Sequence, residues 1–210
     1  MYLYGVGGHA KVIAEILESM GKTINGLFDD NQHVKELKGM KVEKGIRVSD
    51  KNTFPVLESP VIISIGNNNE RAEIADLLAN SFDVKFGKAI HSTSIISPSA
   101  SIAEGVMILH GSIIQAETII GKHVLVNTAA SIDHENVIGD YAHVSPHATL
   151  CGRVHVGEGT HIGAGAVVLP NIKIGKWCKI GAGAVVISDI PDFSTAVGNP
   201  ARILVKSFKI

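Results

Sequence analysis

An aliphatic residue returns at every sixth position from Ile90 to Val186, 17 times without a break, and few folds can hold such a register. The series runs from Ile90, Ile96, Ile102 and Ile108 through Val144, Leu150 and Val156 to Ile180 and Val186, and no member is polar or charged. Four residues after each comes mostly a small or β-branched residue, such as Ser94, Ala100, Ser112, Ala130, Ala148, Thr160 and Ala184, which suits a second inward position at a tight corner. Gly121, Gly139, Gly157 and Gly175 recur every 18 residues, and Gly163 and Gly181 share that separation. Three hexads therefore make one turn of a coil. A short strand lies on each of three sides, backbone groups pair between successive coils, and the aliphatics form an internal ladder. A β-sandwich of alternating strands would not keep a six-residue register through 97 residues.

Residues 1–87 follow a different grammar and are expected to form a separate α/β domain, with 88–210 as the coil and its C-terminal tail. Tyr2-Leu3-Tyr4 reads as a short strand, Gly5-Val6-Gly7-Gly8 as a loop, and His9 to Met20 as an amphipathic helix with Val12, Ile13, Ile16 and Leu17 inward. Ile24 to Phe28 reads as a second strand ending in Asp29-Asp30. Val61 to Ile65 reads as a buried strand leading through Gly66-Asn67-Asn68-Asn69 into a helix from Glu70 to Ala79. The polar stretch between them carries short strand signals near Val42 and around Arg47-Val48. The pattern is that of a small parallel, Rossmann-like sheet. Gly5-x-Gly7-x-x-Ala10, with Asp29 about 20 positions later, fits the fingerprint in which glycines let phosphates approach a helix N-terminus. Fewer than 90 residues leave room for one nucleotide-sized ligand rather than a dinucleotide, which needs two such halves.

Charge is balanced, 19 Lys plus Arg against 20 Asp plus Glu, and no basic block marks a nucleic-acid footprint. No apolar run approaches the roughly 20 residues that span a bilayer, and the first residues carry no leader pattern, so a cytoplasmic protein without a membrane span is expected. Cys151 and Cys178 lack a C-x-x-C spacing and are read as buried thiols. No spacing among the histidines matches a zinc motif, so no metal is expected, although His143 and His161 should stack one coil apart.

The two parts together resemble the bacterial sugar-nucleotide acetyltransferases related to sialic acid O-acetyltransferases and to the enzymes that N-acetylate UDP-4-amino-sugars. The resemblance rests on Tyr4-Gly5-Val6-Gly7-Gly8-His9-Ala10, Phe28-Asp29-Asp30, Ile65-Gly66-Asn67-Asn68, Ile90-His91 with Ile96-Ser97-Pro98, Asn127-Thr128, Asp133-His134-Glu135 and His143-Val144-Ser145. It is carried further by Gly181-Ala182-Gly183-Ala184-Val185-Val186 and Val197-Gly198-Asn199-Pro200-Ala201-Arg202. It implies a left-handed parallel β-helix of hexapeptide repeats, a hand that the period alone does not give, and a homotrimer using acetyl-CoA as co-substrate.

The resemblance also assigns roles. His134 is implied as general base with Glu135 as its tuning carboxylate, and His143 as a contact to the thioester region of acetyl-CoA, with Asn127 shaping the same cleft. Gly152, Ala164 and Ala182 are implied as backbone contacts to the coenzyme, Ala182 replacing a glycine common in relatives. Lys176, Lys179, Arg202 and Lys206 are candidates to face its phosphates. Gly8, His9, Asp29, Asp30, Gly66 and Asn67 map onto the nucleotide-sugar site, where the carboxylates would accept hydrogen bonds from a base or ribose while loop amides meet the diphosphate. The chemistry asks for a base to deprotonate the acceptor and a donor to stabilise the thioester oxyanion, and histidine suits the first task.

His134 and His143 are nine residues apart, half an 18-residue turn, and so should lie on opposite sides of one coil. If both serve one reaction, the site lies between neighbouring subunits. N-acetylation of a nucleotide-linked deoxysugar at C4 is the leading expectation and O-acetylation of a sialic acid or related sugar its nearest rival. A non-catalytic nucleotide-sugar scaffold, a dehydrogenase and a metal-dependent carbonic anhydrase on the same coil fit the residues less well.

Overall fold

The computed structural model describes residues 1–31, 33–45, 57–82 and 84–204. The N-terminal part is built on a five-stranded sheet. Its strands are β1 (Tyr2–Tyr4), β2 (Gly26–Asp29), β3 (Glu36–Leu37), β4 (Met40–Lys44) and β5 (Val61–Ile63), in the order β3-β4-β2-β1-β5. All pairs are parallel except β3 with β4. The central strands Leu3, Leu27, Ile62 and Ile63 are fully buried, as expected of a sheet covered on both faces. The signal near Val42 belongs to β4, while Arg47-Val48 lies outside the described residues. The strand read as Ile24 to Phe28 is shifted to Gly26–Asp29 and the one read as Val61 to Ile65 ends at Ile63, although Asn25 N still donates to Met1 O and Ser64 N to Tyr4 O at their edges.

Helix α1 (Gly8–Ser19) buries Ala10, Ile13, Ala14, Ile16 and Leu17, the i, i+3, i+4, i+7 stripe of an amphipathic helix. That stripe packs against both β1 and the coil. It shares one cluster with Ala89, Met107 and Leu125, which point outward from the first coils and are nonetheless fully buried. Helix α2 (Asn68–Ser81) starts two residues earlier than the sequence suggests, because the Asn67 side chain caps it by accepting from Asn69 N and Glu70 N.

From Ala89 to Val186 every strand is two residues long, and each as far as Val167–Val168 pairs in parallel with the strand 18 residues on, while Lys179–Ile180 pairs with Thr195–Ala196, 16 residues on. Three sheets result. We call them the histidine side (through Leu125–Val126, His143–Val144, His161–Ile162 and Lys179–Ile180), the apolar side (through Ser131–Ile132, Thr149–Leu150 and Val167–Val168) and the third side (through Val137–Ile138 and His155–Val156). The hexad aliphatics from Ile108 to Val186 are buried in one continuous core, with Ile90, Ile96 and Ile102 partly buried at its open end. The chain closes on the histidine side with Thr195–Val197 and the antiparallel Arg202–Ile203. Cys178 is buried, but Cys151 is only half-buried, because its position begins a corner and faces away from the ladder. Among the described residues no helix is long and apolar enough to cross a membrane.

Candidate active site

The six residues assigned to a nucleotide sugar, Gly8, His9, Asp29, Asp30, Gly66 and Asn67, line one cavity of about 500 Å³ at the C-terminal ends of β1, β2 and β5. Open parallel sheets place ligands at this edge. The loop after β1 is held there by its own chemistry. Gly5 has φ of +89°, and a side chain on it would run into Ile65. The Asp29 carboxylate accepts from Val6 N at 2.5 Å and from Asn31 N at 2.7 Å, and Ser64 Oγ donates to Gly5 O at 2.6 Å. Asp29 thus anchors the loop, whereas exposed Asp30 takes the Tyr4 hydroxyl at 3.1 Å. The two helix N-termini differ. α2 is capped by Asn67, but α1 has no side-chain cap and no acidic residue in its first turn; Ala10 N donates to Gly7 O, while the amides of Gly8 and His9, which line the cavity, have no partner among the described residues, as an anion site requires.

His9 lines the same cavity, and its buried Nε2 has no hydrogen-bond partner among the described residues. Burial, then the Arg71 charge, lowers its pKa to about 4. His143 lies on the histidine side, 9% exposed, and its ring stacks on His161 with centroids 4.6 Å apart. Asn127 Nδ2 meets His143 Nε2 at 3.2 Å while Asn127 Oδ1 accepts from Thr128 N. That arrangement makes Nε2 the acceptor and leaves Nδ1 as a buried donor with no hydrogen-bond partner among the described residues. Burial, His161 and Arg71 together lower the His143 pKa to about 3, so the ring is neutral. A second cavity of about 610 Å³ shares Gly66 and Asn67 with the first and runs past His161, Trp177 and Lys179.

His134 and Glu135 sit on a different corner, between the apolar and third sides. Glu135 has φ of +57°, like the equivalent Glu117 and Arg153 one coil away, and this left-handed corner turns its carboxylate alongside the preceding ring. His134 Nδ1 and Glu135 Oε2 are 2.8 Å apart, and Arg153 Nε donates to the same oxygen at 3.0 Å. The His134 bond, then Arg153, holds the Glu135 carboxyl below the usual range. A histidine donating from Nδ1 to a carboxylate keeps a lone pair on Nε2, and among the described residues nothing bonds that atom. Gly152 is buried beneath the ring: a methyl there would come within 2.6 Å of His134 Cε1 and Nε2. Gly152→Ala is therefore expected to displace the imidazole and lower turnover by about tenfold or more. Its thermal midpoint should barely move, because Gly152 has an ordinary φ; steady-state kinetics beside a melting curve checks both.

The structure brings Gly152 to His134, and it sets His143 on the side from which Ala164 and Ala182 follow in consecutive coils, Gly183 N donating to Ala164 O. It does not bring the two groups together within one chain. Lys179 lines the second cavity, Lys176 pairs with Glu158 at 3.6 Å, and Arg202 Nη1 donates to Ala201 O. Lys206 lies outside the described residues. Sequence reasoning missed Arg71, which is fully buried and joins the two parts. It donates to His123 O, Ile65 O, Gly66 O, Tyr141 O, Ala142 O and Asn68 Oδ1.

Residues 1–78 match the family described as the PglD N-terminal domain, and residues 153–188 the bacterial transferase hexapeptide of six repeats. A mutant of perosamine N-acetyltransferase from Caulobacter crescentus, solved with CoA and GDP-perosamine, is 32% identical, with TM-score 0.88 over 98% of this chain and 96% of that one. The acetyltransferase domain of PglB from Neisseria gonorrhoeae, solved with acetyl coenzyme A, is 33% identical, with TM-score 0.87 over 97% and 98%. WeeI from Acinetobacter baumannii is 29% identical, with TM-score 0.85 over 97% and 98%. Over 105 residues, half of its length, this chain is 32% identical to uncharacterized protein L142 of Acanthamoeba polyphaga mimivirus, of which it spans only 20%. With a Rossmann-like N-terminal part and a hexapeptide coil both matched along nearly its whole length, the chain belongs to the acetyl-CoA-dependent sugar acetyltransferases of the left-handed β-helix family.

Proposed function

We propose that the chain transfers acetyl from acetyl-CoA to the C4 amino group of a nucleotide-linked deoxysugar, with His134 as general base. The observation that carries this is the His134 Nδ1 to Glu135 Oε2 contact of 2.8 Å on an exposed corner, with Nε2 left to accept a proton. The amine nitrogen attacks the thioester carbonyl carbon, the C–N bond forms and the C–S bond breaks. His134 takes the amine proton and returns it to the departing thiolate, giving an amide and free coenzyme A. The nucleotide occupies the Asp29–Asp30 cavity with its diphosphate at the open N-terminus of α1, and His9 and Gly66-Asn67 direct the sugar toward the coil.

The reading includes a homotrimer with active sites between subunits, since His134 with Gly152 and His143 with Ala164 and Ala182 occupy separate corners of one chain. The apolar side supports it. Its outward residues are Ile95, Ile113, Ser131, Thr149, Val167 and Val185, without a charge among them, and Ile95 is 63% exposed, the composition of an interface core. The domain boundary near residue 87 and a cytoplasmic location, where both co-substrates are to hand, belong to the same reading. Thiol release from acetyl-CoA should be measured against UDP-, GDP- and dTDP-linked 4-amino sugars and sialic acid. Turnover with a 4-amino sugar, giving an alkali-stable amide product, is expected. Turnover with sialic acid alone would replace the substrate by its O-acetylated rival, and absence of acetyl-CoA binding would end the acetyltransferase reading.

A further inference from the structure

The coil has an inward position four residues after each hexad aliphatic, and its occupants on the His134 corner run Ala100, Thr118, Asn136, Val154 and Ile172. Asn136 is fully buried. Its Nδ2 donates to Asp133 O at 2.8 Å, to His134 O at 3.3 Å and across to Cys151 O at 2.9 Å. Thr118 Oγ1, from the coil before, donates to the same Asp133 oxygen at 2.7 Å and also accepts from Asn136 N at 3.3 Å. The Asn136 Oδ1, in contrast, is buried with no partner among the described residues.

Burying an unpaired amide oxygen costs free energy that Val154 and Ile172 avoid at the same position. The coil does not need an amide here, since hydroxyls suffice elsewhere: Ser112, Thr118 and Thr160 each bond the carbonyl 15 residues on, just as Asn136 bonds Cys151. A hydroxyl can also reach back within its own corner, as Ser112 Oγ does to Leu109 O, but a single hydroxyl proton cannot serve what the two amide protons of Asn136 do: both carbonyls that immediately precede Glu135, Asp133 O beside Thr118 and His134 O beside Arg153 N, together with Cys151 O. We infer that Asn136 is a positioning residue that fixes the Asp133–His134–Glu135 corner, so that the His134 ring stands over Gly152 with Nε2 aimed at the substrate. The inference rests on the reading of His134 as base.

Two variants separate this role from a general coil-to-coil tie. Asn136→Thr keeps a hydroxyl that can bond Cys151 O, as Thr118 and Thr160 bond their carbonyls, but that side chain then has no proton left for Asp133 O or His134 O, which keep only Thr118 Oγ1 and Arg153 N as donors. Asn136→Val removes all three bonds and copies Val154. Each is compared with wild type and His134→Ala for kcat, for KM of both substrates, for thermal midpoint and for amide hydrogen exchange of residues 133–136. Both variants are expected to lose about 10- to 100-fold in kcat, with KM values within about twofold. Exchange should rise at the corner alone, and the midpoint of Asn136→Val should not fall. Wild-type kcat and unchanged corner exchange in Asn136→Thr would overturn the inference, as would a kcat loss that merely follows a lowered midpoint. If His134→Ala itself turns over normally, the function reading fails, while the exchange data still decide whether Asn136 holds the corner.

Discussion

Arg71→Met is expected to destabilise the protein by roughly 3 kcal/mol, because it strips donors from buried acceptors in both parts at once. The guanidinium is fully buried, and its acceptors are five carbonyls and the Asn68 amide oxygen rather than carboxylates. Burial lowers its pKa only to about 10, so it stays charged. It ties Ile65 and Gly66, which line the nucleotide cavity, to Tyr141 and Ala142, which lead into His143. The variant should therefore also bind a nucleotide sugar at least tenfold more weakly while acetyl-CoA binding is retained; chemical denaturation and titration calorimetry measure the two effects. Burial, and after it the same charge, keep three neighbouring rings neutral. His9, His123 and His143 have folded pKa values of about 4, about 4 and about 3, below the unfolded value of about 6.5. Between about pH 6.5 and those values the unfolded chain binds more protons, so stability is intact above that window and falls as pH drops through it. In Arg71→Met that acid loss should be shallower, since part of what keeps these rings neutral is gone.

His134→Ala is expected to lower kcat by about 10²- to 10⁴-fold, the range for loss of a positioned general base. Its ring is about half exposed and lies outside both cores, so the unfolding free energy should stay within about 1 kcal/mol of wild type. Acetyl-CoA binding should persist. Glu135→Gln keeps an acceptor oxygen but loses the charge that steadies the ring, and should fall between the two. A His134→Ala enzyme within twofold of wild type would leave the Asp133–Glu135 corner without a catalytic role.

The coil was legible because its period is a hard constraint: an aliphatic every sixth residue closes the ladder as a three-sided coil, and only its hand had to come from the resemblance. The same period marked Asn136, four residues after Ile132, as an inward polar group, yet that position is noticed only once each corner is compared with its neighbours. Arg71 was also signalled, since Arg71, Ala75 and Leu78 share one buried face of α2, but a charge on an apolar stripe says nothing of what it will meet. The carbonyls it serves lie 52 and 70 residues away at His123 and Tyr141, a distance no local pattern spans. The nucleotide cavity was reached through motif resemblance. What resemblance did not reveal is the division of labour inside it, where Asp29 is occupied by loop amides and Asn67 by its helix while Asp30, His9 and the N-terminus of α1 remain available.

Residues of one active site contributed by different subunits can be tested by mixing. His134→Ala and His143→Ala proteins, each nearly inactive alone, are to be unfolded, combined in equal amounts and refolded, with mixed trimers verified by mass. Because random assembly gives each interface one intact partner of each kind about a quarter of the time, turnover should return to about a quarter of wild type. No recovery in verified mixed trimers would contradict a site shared between subunits and place both histidines in the service of a single chain or of none.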